Sequence, residues 1–266
     1  MKSWLIIAML LIFTAACSSQ EAADFKLAQA ETQKKHYRIA LNHLDRVIAR
    51  NTGSKFTLEA AREAARISFF ELKDYEKSIR YHHFIVLNSK DQSERLQSQK
   101  QIASIYFDNI QDYNKSIIEH SKLQQMPHTD LEAAQYKLAI ARAQYYLNNF
   151  FQAESEADSL LKLKSDAATR FAALMLKGNI FIGRKEYKAA ADIFKILMSE
   201  FPEKSREENV PLVLAVCYEE ENDFKSAIAV LEEHMEHYNP REYVELRIKR
   251  LKERQKNAPG AKGFRK

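Results

Sequence analysis

His234 and His237 stand three residues apart and are flanked by Glu233 and Glu236, so on a helix the two imidazoles share a face and could hold a zinc ion. No third ligand follows at helical spacing, and a polar helix end accounts for the pair without a metal. His82 and His120 are the next candidates for acid–base chemistry. Five glycines in 266 residues leave no phosphate-cradling loop or dinucleotide fingerprint, and G-x-S-x-G, H-E-x-x-H and C-x-x-C are absent. Cys217 lies in an apolar run with Leu214 and Tyr218 and reads as a buried, inert thiol. Groups capable of chemistry are present but do not converge. The expectation is a protein that is not an enzyme and needs no metal, cofactor or small-molecule substrate.

The elements around these residues repeat. DYEKSIRYH (74–82) returns as DYNKSIIEH (112–120), six of nine positions identical. Aligned on the aromatic, the pattern extends to Tyr37, Tyr75, Tyr113, Phe150, Tyr187 and Phe224, spaced by 38, 38, 37, 37 and 37 residues. A small residue follows three positions later each time: Ala40, Ser78, Ser116, Ala153, Ala190 and Ala227. Asp74, Asp112, Glu186 and Asp223 precede four of the aromatics. His82 and His120 fall seven residues after theirs, where other repeats carry Leu44, Ala157, Phe194 and Leu231, which makes them packing residues. Period is the first property to test in a chain, and this one is an array.

Each aromatic opens a helix. Tyr187, Ala190, Ala191, Phe194 and Leu197 form one helical stripe, and Phe224, Ala227, Ile228 and Leu231 another. A second stretch of helical period lies upstream, as in Leu138, Ala141 and Tyr145. Thr129-x-x-Glu132 and Ser205-x-x-Glu208 read as capping boxes opening two such first helices. Pro211 requires the sixth first helix either to start near Asn209 or to kink. A helix, a short turn and a helix, with a small residue where the two must approach, is the predicted repeat.

These residues resemble the tetratricopeptide-repeat (TPR) family over about residues 22–239, most closely at Gly178, Phe181, Tyr187, Ala190, Phe194 and Pro202. The period is three or four residues longer than the family's ~34, the usual early tryptophan is missing, and the first repeat has Glu31 where an aromatic belongs. The resemblance implies an all-α superhelical solenoid of six TPR-like helix-turn-helix repeats with a C-terminal capping helix. It also implies a groove lined by first helices, which carries over to Gln29, Gln101, Asp108, Arg142, Tyr145, Tyr146, Asn179 and Glu219. Among these, Arg142 with Tyr145 and Tyr146 has the residue types that dominate binding hot spots. Both tyrosines can equally be read as packing between repeats.

The N-terminus is a separate piece. Lys2 and the twelve-residue apolar run from Leu5 to Ala16 read as a signal peptide, too short to span a bilayer. Thr14-Ala15-Ala16-Cys17 resembles the bacterial lipobox, with Thr14 where leucine is usual, so Cys17 is the expected lipidation site. The alternative is an ordinary signal peptide cleaved after Ala16. Ser18, by resemblance to Gram-negative lipoproteins, implies an outer-membrane anchor with the protein facing the periplasm. The expected organisation is signal peptide 1–16, repeats 17–239, capping helix 240–257 and basic flexible tail 258–266. From Arg247 to Lys266 nine basic residues meet one acid, leaving 17–246 at −4, a balance that argues against nucleic acid.

The whole resembles the BamD type of outer-membrane TPR lipoprotein, a non-enzymatic scaffold that meets other envelope proteins through its groove and the membrane through Cys17. Six repeats exceed that type's usual five. A pilotin-like or gliding-motility accessory lipoprotein is the second reading, and a periplasmic hydrolase or metal-binding protein the third.

Overall fold

The computed structural model describes residues 20–52, 54–238 and 240–257. The segment expected to be a signal peptide (1–16), the expected lipidation site Cys17 and the expected tail 258–266 lie outside the described residues. The chain divides into two compact units, Met1–Pro127 and His128–Lys266.

The N-terminal unit holds α1 (20–33), α2 (Tyr37–Arg50), α3 (Lys55–Arg66), α4 (Tyr75–Asn88), α5 (Gln92–Ser104) and α6 (Tyr113–Gln125). The C-terminal unit holds α7 (Asp130–Tyr146), α8 (Phe150–Leu161), α9 (Ala167–Gly183), α10 (Tyr187–Glu200), α11 (Pro202–Glu207), α12 (Val210–Glu220), α13 (Phe224–His234) and α14 (Arg241–Asn257). The architecture is all-α, with helices packed in consecutive pairs. No described helix is long and apolar enough to cross a membrane.

Every aromatic of the repeat is the first residue of a second helix. Two residues before each, Lys35, Lys73, Gln111, Asn148, Lys185 and Asn222 adopt positive φ, so one left-handed turn recurs in all six repeats without a glycine. The acid before the aromatic has a local cause: Asp74, Asp112 and Asp223 accept hydrogen bonds from the backbone N–H of Lys77, Lys115 and Ser226. Glu186 makes no such cap and pairs with Arg184 at 2.6 Å. The small residues three positions on, Ala40, Ser78, Ser116, Ala153, Ala190 and Ala227, are fully buried. Ser78 shows how close the helices come, since its hydroxyl donates to the Ala65 carbonyl of α3 at 3.1 Å. On α9, a Cβ at Gly178 would sit 2.5 Å from the Phe194 ring of α10, so only glycine admits that ring.

The two spacings have different backbones. First helices in the 38-residue periods end in a π-helical turn, Ile67–Glu71 after α3 and Ile105–Ile110 after α5. The one extra residue is absorbed as a π-bulge, which wraps five residues into a turn that otherwise takes four.

The sixth first helix corrects one expectation and settles another. Ser205 opens no capping box: it lies inside the short α11, buried, with its hydroxyl donating to the Leu197 carbonyl at 3.2 Å. Pro202 at the start of α11 supplies the helix beginning that Ser205 was expected to make. Asn209 then turns left-handed and α12 starts at Val210, leaving Pro211 in the first turn, where its missing N–H costs nothing. Thr129 and Glu132 form the full capping box on α7. At the other end, Val244, Ile248 and Leu251 of α14 are buried against Phe224, Ala227, Ile228 and Leu231.

Candidate functional site

A cleft in the C-terminal unit brings together the last turn of α7, one face of α9 and the short α11. The last turn of α7 carries Arg142, Tyr145 and Tyr146, and the structure separates the two tyrosines. Tyr145 is half-buried, with its ring 5.8 Å from that of Phe150 and packed beside Ala141 and Leu138. Tyr146 stands edge-on to Tyr145 and keeps 47% of its surface exposed. Arg142 is exposed beside it. Ala172, Met175, Leu176 and Asn179 recur at helical spacing along α9, so one stripe of that helix forms the facing wall.

The third side comes from α11. Phe201 sets its ring edge-on to Phe171 at 5.7 Å, and the buried Ser205 ties the helix down. Lys204 is thereby held with its ammonium 4.5 Å above the Phe171 ring, an attraction between a cation and the negative face of the aromatic. The result is a cleft of about 310 Å³ with an apolar floor and polar groups at its rim, Arg142, Asn179, Lys204 and Glu208 among them. Such a surface can seat an apolar side chain while pairing with polar groups on either side of it.

Arg142, Tyr145, Tyr146 and Asn179, expected in the groove, line this cleft together, and Phe171, Met175 and Lys204 line it without having been expected. The α9 stripe was visible as a period, but Lys204 was not, because it depends on the break that creates α11.

The other expected groove residues are placed as follows. Glu219, on α12, is held by Arg247 at 3.3 Å and by Arg254, so it is an internal ion-pair partner. In the N-terminal unit, Gln29 lies on the exposed side of α1 beside Glu59 and Arg62. Asp108 is exposed and accepts the Ser104 hydroxyl at 2.8 Å. Gln101 lines a cleft of about 350 Å³ with Arg66, Phe69, Phe70 and His82. That cleft contains a second copy of the motif: Arg66-x-x-Phe69-Phe70 matches Arg142-x-x-Tyr145-Tyr146. Phe70 is 60% exposed, like Tyr146 at its equivalent position, whereas Arg66 is paired with Glu63 and Glu71. The shared spacing is a property of the sequence, whereas the exposure of Phe70 is decided by packing.

The remaining candidate groups are placed as follows. Burial pushes the Cys217 thiol up to about 11, so it stays protonated and unreactive. His234 meets the Val230 carbonyl of its own helix through Nδ1 at 3.1 Å. Among the described residues no cluster of three His, Cys, Asp or Glu could hold a metal.

His82 is largely buried, its Nδ1 lacks a hydrogen-bond partner, and desolvation lowers its pKa to about 4, with His83 adding to the effect. Charged groups around the cleft are Arg62 and Arg66 of α3 and Glu94 of α5. Because the folded value lies below the unfolded one, the unfolded chain takes up this proton first as pH falls. Stability is therefore complete above the ordinary histidine range and declines down to the folded pKa. Between about pH 7 and about pH 5 the loss from His82 is on the order of 2 kcal/mol. His82→Leu, which installs the residue used at Leu44 and Leu231, should melt with a gap over the parent that widens on acidification. A constant gap in circular-dichroism melts would remove the histidine as the cause.

No protein-family model matches the chain, and no curated protein sequence matches it. Solved structures do share its fold. A tetratricopeptide repeat protein from Parabacteroides merdae aligns over 90% of both chains at 14% identity with a TM-score of 0.52. PilW, a type IV pilus biogenesis factor, aligns over 80% of this chain and 91% of its own at 13% identity and a TM-score of 0.50. YrrB, described as a TPR protein with an unusual peptide-binding site, aligns over 78% of this chain and 97% of its own at 12% identity and a TM-score of 0.52. The chain has the tetratricopeptide-repeat fold.

Proposed function

We propose that this protein is a non-enzymatic scaffold for protein–protein interaction, anchored by lipidated Cys17 at the periplasmic face of the outer membrane and serving an envelope machine of the β-barrel-assembly kind. The observation that carries the scaffold reading is the α7–α9–α11 cleft, where exposed Arg142 and Tyr146 stand at the rim of an apolar floor. Arginine and tyrosine are enriched among the few residues that dominate the affinity of protein interfaces once a partner covers them and excludes water. The lipobox-like run ending at Cys17 supports the anchor. A pilotin-like or gliding-motility accessory role is the second reading, and the fold shared with PilW favours it.

Crosslinking in intact envelopes followed by affinity purification tests both the scaffold and the site. Arg142→Ala and Tyr146→Ala should each reduce partner recovery by about 2 kcal/mol of affinity, roughly thirtyfold, with unchanged melting temperature. A Tyr146→Ala protein that melts early yet recovers its partner normally would make the tyrosine a packing residue and remove this cleft from consideration. The identity of the captured protein decides between the β-barrel-assembly and pilotin-like readings.

A further inference from the structure

Helix α14 sorts its charges by flank. Burial of Val244, Ile248 and Leu251 fixes how the helix is rotated on the repeat beneath it. At about 100° per residue, Tyr243, Leu246, Arg247, Arg250 and Arg254 then share one flank. Glu242, Glu245, Lys249, Lys252 and Lys256 share the other, with Glu253 opposite the buried face. One flank has three arginines and no carboxylate. The other mixes lysine with glutamate, and Lys252 pairs with Glu232 of α13 at 2.7 Å while Glu245 pairs with Arg241 at 3.1 Å.

The arginine flank is open and partly apolar. Tyr243 is 59% exposed and Leu246 47%. Arg250 is exposed and forms no ion pair or hydrogen bond with any described residue. Arg247 and Arg254 converge on Glu219 of α12, each on a different carboxylate oxygen. Together these groups line a cleft of about 480 Å³ that already contains a carboxylate, supplied by the chain itself. Guanidinium is the cation whose planar fork fits a carboxylate through two parallel hydrogen bonds, which lysine cannot match.

We infer that the arginine flank of α14 docks an acidic segment of a partner protein, one with at least two Asp or Glu side chains next to an apolar residue. Arg250 receives one carboxylate, a second competes with Glu219 for Arg247 and Arg254, and Tyr243 with Leu246 receives the apolar side chain. The inference rests on the scaffold reading and adds a contact of stated chemistry outside the repeats. A protein segment fits better than an anionic bilayer, because two of the three guanidiniums point at one carboxylate in a cleft instead of spreading along a surface.

The test uses the full chain and a fluorescein-labelled peptide, Glu-Glu-Leu-Glu-Phe-Glu, read by fluorescence anisotropy, with its all-glutamine counterpart as control. The acidic probe should bind at least about tenfold more tightly than the glutamine peptide. Arg250→Ala should weaken it about fivefold or more, and Arg250→Lys should fall between, since charge returns without the fork. Lys249→Ala removes the same charge from the other flank and should change binding less than about twofold. Glu219→Gln should tighten binding severalfold by releasing Arg247 and Arg254. Equal losses for Arg250→Ala and Lys249→Ala would reduce the effect to general attraction and overturn the inference. So would a Glu219→Gln protein with parental affinity, or vesicles of phosphatidylglycerol and phosphatidylcholine that bind in an Arg250-dependent way and displace the probe. Failure here with normal Arg142-dependent partner recovery would reject the α14 site and leave the scaffold reading standing.

Discussion

Ala190→Leu and Ala227→Leu should each cost about 1–3 kcal/mol of stability, because both methyl groups are fully buried where a second helix meets its first helix. Ala190 packs among Phe171, Leu174 and Phe194, and the neighbouring Gly178–Phe194 contact has no spare space, so three added carbons cannot be absorbed by a rotamer change. Lys188→Leu and Lys225→Leu, at exposed positions of the same two helices, should stay within about 0.5 kcal/mol of the parent. Thermal or urea unfolding of the four variants checks the repeat register. If all four melt together, the +3 position is not where the helices approach, and the alignment on the aromatics is wrong.

Cys17→Ala is expected to move the protein from the membrane pellet to the soluble fraction while leaving its melting temperature unchanged. A single acyl chain holds a protein only marginally, whereas several chains anchor it firmly, so loss of the modified cysteine should act almost as a switch. The described structure begins at Gln20, and its buried clusters form without the cysteine, which is why anchor and array should separate energetically. Fractionation in high salt is the measurement, because salt strips proteins held by charge alone. Retention of Cys17→Ala in the pellet under those conditions would refute the lipoprotein reading.

Sequence alone determined the array. The aromatic, the small residue three positions later and the near-constant spacing are local properties, repeated six times, and repetition turns a weak helical preference into a firm one. It also brought Arg142, Tyr145, Tyr146 and Asn179 together, because residues at helical spacing on neighbouring first helices must lie near one another. What it left open depended on which atoms meet across helices. Period 38 and period 37 look alike as strings, and only the packed backbone shows a π-turn absorbing the difference after α3 and after α5. Tyr145 and Tyr146 are adjacent and chemically identical, yet one packs on Phe150 and the other is largely exposed, because neighbouring residues of a helix point about 100° apart and only one of them meets α8. Lys204 reached the cleft through a helix break at Phe201 and Pro202 that the repeat pattern did not predict. Glu219, placed in the groove by the resemblance, is paired with Arg247 and Arg254, which lie 28 and 35 residues further along the chain. An ion pair between distant residues leaves no mark in local spacing, because its partners are chosen by the rotation of α14 on its buried side chains.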